Sequence, residues 1–67
     1  MKIGFIGTGN MGSAMIKGIV TSEAVSGNDI NVFDVNMEKS MELSEKYNVK
    51  SLQNEIEIVD NSDIVVL

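Results

Sequence analysis

The chain has 67 residues, 43% of them hydrophobic, with no Pro, Cys or His and a net charge of −5. This excludes a disulfide scaffold and a thiolate zinc site. It argues against disorder and makes nucleic acid a poor partner, because phosphate binding needs clustered cations. No window approaches the ~20 apolar residues of a bilayer span, and the apolar run at residues 2–6 is too short for a signal-peptide core, so the expected location is the cytoplasm.

Residues 2–6 place Ile3, Phe5 and Ile6 around Gly4. A short apolar run of this kind suits a strand buried on both faces of a parallel sheet. It runs into Gly7-x-Gly9-x-x-Gly12. From Asn10 onward, Met11, Ala14, Met15, Ile19 and Val20 recur at helical spacing and mark the expected buried face. Gly12 near the start of that helix allows it to lie close to the strand before it. Gly18 falls on the same stripe and has two readings, a close contact with the sheet or a residue that merely weakens the helix.

Thr21–Asp29 has loop chemistry, ending in Ser26-Gly27-Asn28-Asp29. Ile30–Phe33 reads as a second strand closed by Asp34, with room between the strands for a right-handed crossover. Asn36 is an N-cap for a helix over Met37–Lys46, whose Glu38 and Lys46 suit the helix dipole. Glu42 and Lys46 form an i, i+4 pair. Leu43 and Tyr47 share the inward face. Asn48 can end the helix in a left-handed conformation, and Val49 begins a short extended piece. In Asn54–Asp60 the alternation of Glu55-Ile56-Glu57-Ile58 favours a strand, while Asn54 as a cap favours a short helix. The helix is preferred, because Ile64–Leu67 then forms a third buried strand. The expected fold is α/β: β-α-β-α-β, the N-terminal half of a Rossmann-like doubly wound parallel sheet.

The glycines thus follow a strand, open a helix and sit inside a βαβ unit. Asp34 ends the second strand at close to the ~20 positions beyond Gly12 expected for a carboxylate that accepts hydrogen bonds from an adenosine ribose. Together these predict a dinucleotide site. A carboxylate there favours the ribose hydroxyls of NAD and repels the 2′-phosphate of NADP. Lys39 is the one nearby cation and is read as a solvated helix residue. The bland alternatives are a tight turn without a ligand for the glycines and an ordinary strand end for Asp34. Glu42/Glu45 and Glu55/Glu57 read as solvated faces, Tyr47 as half-buried, and the methionines of the first helix as core filler. No catalytic group and no metal site are expected among these residues.

Lys2-Ile3-Gly4-Phe5-Ile6-Gly7-Thr8-Gly9-Asn10-Met11, followed by Ala14-x-x-Lys17-Gly18, resembles the N-terminus of pyrroline-5-carboxylate reductases. Ser62-Asp63-Ile64-Val65-Val66-Leu67 is similar to their third strand. The resemblance implies an NAD(P)H-dependent reduction of the cyclic imine to L-proline, in proline biosynthesis. It implies a pyrophosphate loop from Ile6 through Gly7, Thr8, Gly9 and Asn10 to Met11, a ribose contact at Asp34, and an adenosine contact at Asn54, for which a plain helix cap is the alternative. Many NADP-using members carry a small polar residue where this chain has Asp34, so the chain leans to NAD or dual use. The resemblance also implies that residues 1–67 are a partial NAD(P)-binding domain. Imine binding and dimerisation would then belong to a C-terminal helical domain outside them, and these residues alone would be inactive. Two rivals share the opening pattern: β-hydroxyacid dehydrogenases, and non-enzymatic nucleotide-sensing domains such as those gating potassium transport. Asn10, Ala14 and Lys17 favour the reductase over the dehydrogenases.

Overall fold

The computed structural model describes residues 1–7 and 9–67, with the backbone alone for Asn10 and Met11. Four parallel strands, β1 (Ile3–Ile6), β2 (Ile30–Phe33), β3 (Lys50–Ser51) and β4 (Ile64–Val66), lie in the order β3-β2-β1-β4. Helix α1 (Asn10–Thr21) links β1 to β2, α2 (Met37–Tyr47) links β2 to β3, and α3 (Glu55–Asp60) links β3 to β4. A single 3₁₀ turn, Gly27–Asp29, leads into β2. The architecture is the expected α/β one, but the strand expected to be buried over residues 64–67 is an end strand of the sheet with Ile64 exposed and Val65 and Val66 half-buried, and there is one addition. The extended piece after Asn48 pairs with β2 through Asn31↔Lys50 and Val32↔Ser51 and becomes a two-residue edge strand.

Strand alternation divides the sheet into two faces. Phe5, Ile30 and Val32 point to one, where Ile16 of α1, Leu43 of α2 and Val49 close the main core. Gly4 and Asn31, paired in register, point to the other, which α3 covers with the fully buried Ile58. There the side chains of Ile58 and Ser62 press on the Gly4 backbone. A Cβ built on Gly4 would collide with Ser62 Oγ and lie 2.6 Å from Ile58 Cγ2. Asn31, 3% exposed, donates from Nδ2 to Asn61 O (3.0 Å) and Ser62 Oγ (3.1 Å). A strand amide thereby spans the glycine of its neighbour and ties β2 to the turn before β4. On the first face Ser40, fully buried on α2, accepts from Ser51 Oγ (3.1 Å) and fastens the helix to the edge strand.

The helix termini follow the sequence closely. Asn36 Oδ1 accepts from Glu38 N at 3.1 Å, and Asn48 ends α2 at φ 57°, ψ 32°. Leu43 is buried and Tyr47 half-buried. Lys46 places its ammonium 5.6 Å from the Tyr47 ring centroid. Asn54 Oδ1 accepts from Glu57 N (2.9 Å), so Asn54–Asp60 is the short capped helix rather than a strand.

One expected face is only partly right: Ile19 and Val20 pack against the core. Ala14 and Met15 are exposed, and the buried centre of α1 is Ile16, flanked by the half-buried Gly12, Ile19 and Val20. Met15 is therefore not core filler; the side chain of Met11 lies outside the described residues. Gly18 is exposed, and a Cβ built on it meets no described atom within 4 Å, so it makes no close contact with the sheet. Replacing a glycine in an exposed helix interior by alanine removes backbone entropy from the unfolded chain. Gly18→Ala is thus expected to stabilise the domain by ~0.5–1 kcal/mol, read as a higher urea midpoint at unchanged slope. A lower midpoint would place a partner against Gly18.

Candidate functional site

In a parallel sheet all strand C-termini reach the same edge. Here that edge holds Gly7 after β1, Asp34 after β2, Leu52 to Asn54 after β3, and Leu67 after β4. The chain moves outward from β1 to β2 and β3, then returns to β1's other side as β4. The order therefore reverses between β1 and β4, where open α/β sheets form their ligand crevice.

The glycines serve three different purposes. Gly7 has φ +85°, which favours glycine, and its N–H donates to Phe33 O at 2.8 Å. This bond fastens the loop to the end of β2, one residue before Asp34. Gly12 lies so close to the loop that a Cβ built on it would be 3.1 Å from Gly7 O, so the first turn of α1 sits directly on the end of β1. Gly9 is different. It is the N-cap of α1 at φ −61°, ψ −172°, a conformation open to any residue, and no described atom lies within 4 Å of a Cβ built there. Nothing in the described fold requires glycine at position 9. Gly9 stands at the N-terminus of a 12-residue helix with no acidic residue in its first turn, where the helix dipole suits an anion.

Asp34 is half-buried, and its Oδ1 accepts from Asn36 N at 2.8 Å. The carboxylate is thereby held at the start of α2 rather than left as a loose strand end. Ile6 is half-buried at the end of β1. Thr8 lies outside the described residues, as do the side chains of Asn10 and Met11. Asn54 stands at the same edge as Asp34, but both ends of its amide are engaged inside α3: Oδ1 with Glu57 N, and Nδ2 with Glu57 Oε1 at 3.3 Å. Glu42, Glu45 and Glu55 are exposed, as expected of solvated faces, whereas Glu57 is half-buried because its carboxylate accepts from Asn54 Nδ2. Among the described residues no group of three or more His, Cys, Asp or Glu could hold a metal, and no helix is long and apolar enough to cross a membrane.

Sequence reasoning found the Asn36 cap but missed the bond before it, from Asn36 N to Asp34 Oδ1. An Asx residue two positions before a helix cap was its available signal.

The chain is similar to a 37% identical region of pyrroline-5-carboxylate reductase 2 of Bacillus subtilis (strain 168), with 98% of this chain and 24% of that protein covered. It is also similar to pyrroline-5-carboxylate reductase of Escherichia coli (strain K12), 33% identical with 96% and 24% covered. ComE operon protein 4 of Bacillus subtilis (strain 168) is 31% identical over all of this chain and 25% of its own length. The chain thus spans about a quarter of the length of the curated relatives it matches. Residues 2–67 match the family described as NADP oxidoreductase, coenzyme F420-dependent. With its parallel sheet, glycine loop and strand-end acid, the chain belongs to that nicotinamide-dinucleotide-binding oxidoreductase family.

Proposed function

We propose that residues 1–67 are the dinucleotide-binding part of a reductase that converts 1-pyrroline-5-carboxylate to L-proline, using NADH at least as readily as NADPH. The observation that carries the cofactor site is Gly9, a glycine with open space beside it at the α1 N-terminus. The substrate rests on likeness to the two reductases.

In this reading the amides from Ile6 through Gly7, Thr8, Gly9, Asn10 and Met11 to Gly12 hold the pyrophosphate, helped by the α1 dipole. Asp34 accepts hydrogen bonds from the adenosine ribose. Asn54 keeps one amide hydrogen and one lone pair beyond its cap bonds for the adenosine half. When bound, the reduced nicotinamide supplies the hydride, and the protein's share is orientation and electrostatics. The imine site and the dimer contacts belong to segments beyond these residues, the full-length enzyme is a homo-oligomer of the cytoplasm, and these residues alone do not reduce the imine.

The test is pyrroline-5-carboxylate-dependent oxidation of NADH and of NADPH by the intact protein. Turnover is expected with NADH; absence of turnover with either cofactor defeats the substrate assignment. Asp34→Ser removes a charge that repels a 2′-phosphate, and is expected to move the NADPH/NADH preference toward NADPH by about tenfold or more. A wild type that strongly prefers NADPH, or a preference untouched by the substitution, defeats the role of Asp34.

A further inference from the structure

We propose that the groove between α2 and the outer edge of β3 docks an extended, basic segment of another protein as an added strand. β3 stands at one end of the sheet order, so no described strand lies beyond it. Leu52 N donates to Val32 O at 2.8 Å, in a register that sets Lys50 opposite Asn31. Bonding residues alternate along a parallel ladder, so the N–H and C=O of Ser51 point outward, away from β2. An edge of this kind is a template for another chain. An antiparallel residue opposite Ser51 would exchange both hydrogen bonds with it and place its side chain on the same sheet face.

What lies on that face fixes the chemistry of the occupant. Ser51 turns its hydroxyl to α2, donating to Ser40 Oγ at 3.1 Å. The groove beside it is lined by Met37, Met41, Ser44, Glu45, Ser51 and Gln53. Met37 and Met41 are 43% and 55% exposed and form a thioether wall that adapts to an apolar side chain. With about 3.6 residues per turn, α2 presents Met37, Met41 and Ser44 next to its buried Ser40 and Leu43. Glu38, Glu42 and Glu45 come next, and Lys39 and Lys46 lie only on the far flank. Lys50 neighbours Ser51 on the strand and so projects from the opposite sheet face. The groove therefore has an apolar wall and a rim of three exposed carboxylates. Its complement is an apolar residue with Lys or Arg two positions away on either side. Glu38 and Glu45 stand about 10 Å apart along α2, and those two cations stand about 13 Å apart along a strand, a difference that arginine side chains span. A second copy of this chain, with a net charge of −5, is disfavoured by the same rim.

The experiment is fluorescence anisotropy of labelled acetyl-Arg-Thr-Leu-Thr-Arg-amide, titrated with the intact protein at low ionic strength. Saturable binding is expected, weakening steeply with added salt. A peptide with glutamate in place of both arginines should not bind. Three changes should each weaken binding by about threefold to tenfold. These are Met41→Gln, Glu42→Gln/Glu45→Gln, and N-methylation of the peptide leucine, which removes one of the two strand bonds. The substituted residues are exposed, so circular dichroism should be unchanged. Absence of binding up to about 1 mM peptide, or binding indifferent to any of the three changes, overturns the proposal. A lower oligomeric state of Met41→Gln by sedimentation overturns it as well, because the groove is then an interface between copies.

Discussion

Gly4→Val is expected to leave the domain largely unfolded at 37 °C. The added side chain enters the space occupied by Ser62 Oγ and Ile58 Cγ2, on the face that α3 closes among the described residues. Overpacking a filled core costs about 1–3 kcal/mol. Displacing Ser62 also disturbs a partner of the buried Asn31 amide, and an unsatisfied buried donor costs about 1–3 kcal/mol more. A chain of 67 residues has a total stability of only roughly 3–10 kcal/mol, so the sum is decisive. Thermal and urea denaturation followed by circular dichroism checks it. Gly4→Ala should be milder, and milder still when combined with Ser62→Ala, because the colliding oxygen is then gone. A Gly4→Ala protein as stable as wild type, without that second change, would show that β1 and α3 can separate freely.

Gly9→Val is expected to give the opposite combination, an intact fold and a lost cofactor. Backbone dihedrals at Gly9 suit valine, and its Cβ has open space among the described residues. The cost to stability is therefore limited to a poorer helix cap, on the order of 1 kcal/mol or less. The same branched side chain stands at the loop proposed to hold the pyrophosphate. Affinity for NADH should fall by about 100-fold or more, the equivalent of losing two or three charge-assisted hydrogen bonds. Circular dichroism and an NADH titration separate the two effects. Unchanged NADH affinity would remove Gly9 from the site and leave the glycine without a function.

Strand and helix order could be read because each element has a local cause. Asn36, Asn48 and Asn54 each act on backbone within four residues of themselves, and such signals survive in a linear sequence. What could not be read depends on who faces whom. The first helix offers apolar residues on more than one side, so spacing alone selected Ala14 and Met15, whereas the sheet selects Ile16. Gly4 and Gly18 look alike in sequence, yet one is crowded by α3 and the other stands in open space. Asn31 is the polar residue of the otherwise apolar strand β2. Its purpose depends on Ser62, 31 positions away.

The site was legible to a similar degree. The glycine spacing and Asp34 located the sheet edge, and the bond from Gly7 to Phe33 O supplies the junction that spacing could only suggest. Asn54 was open between helix cap and cofactor contact, and the cap is made.

The link between Lys2 and Asp63 bears on how the domain is made. Lys2 N donates to Asp63 Oδ2 at 2.7 Å, across 61 positions, while the N–H groups of Asp63 and Ile64 donate to Lys2 O. On a ribosome, β1 is synthesised first but gains its last neighbour only when β4 emerges. Until then one flank of the central strand stays unpaired, a template for association with other nascent chains. Pairings of such long sequence separation slow the final step of folding. Synthesis at high rate should therefore load chaperones through β1, with the vulnerable interval set by the time needed to translate the segment from β2 to β4.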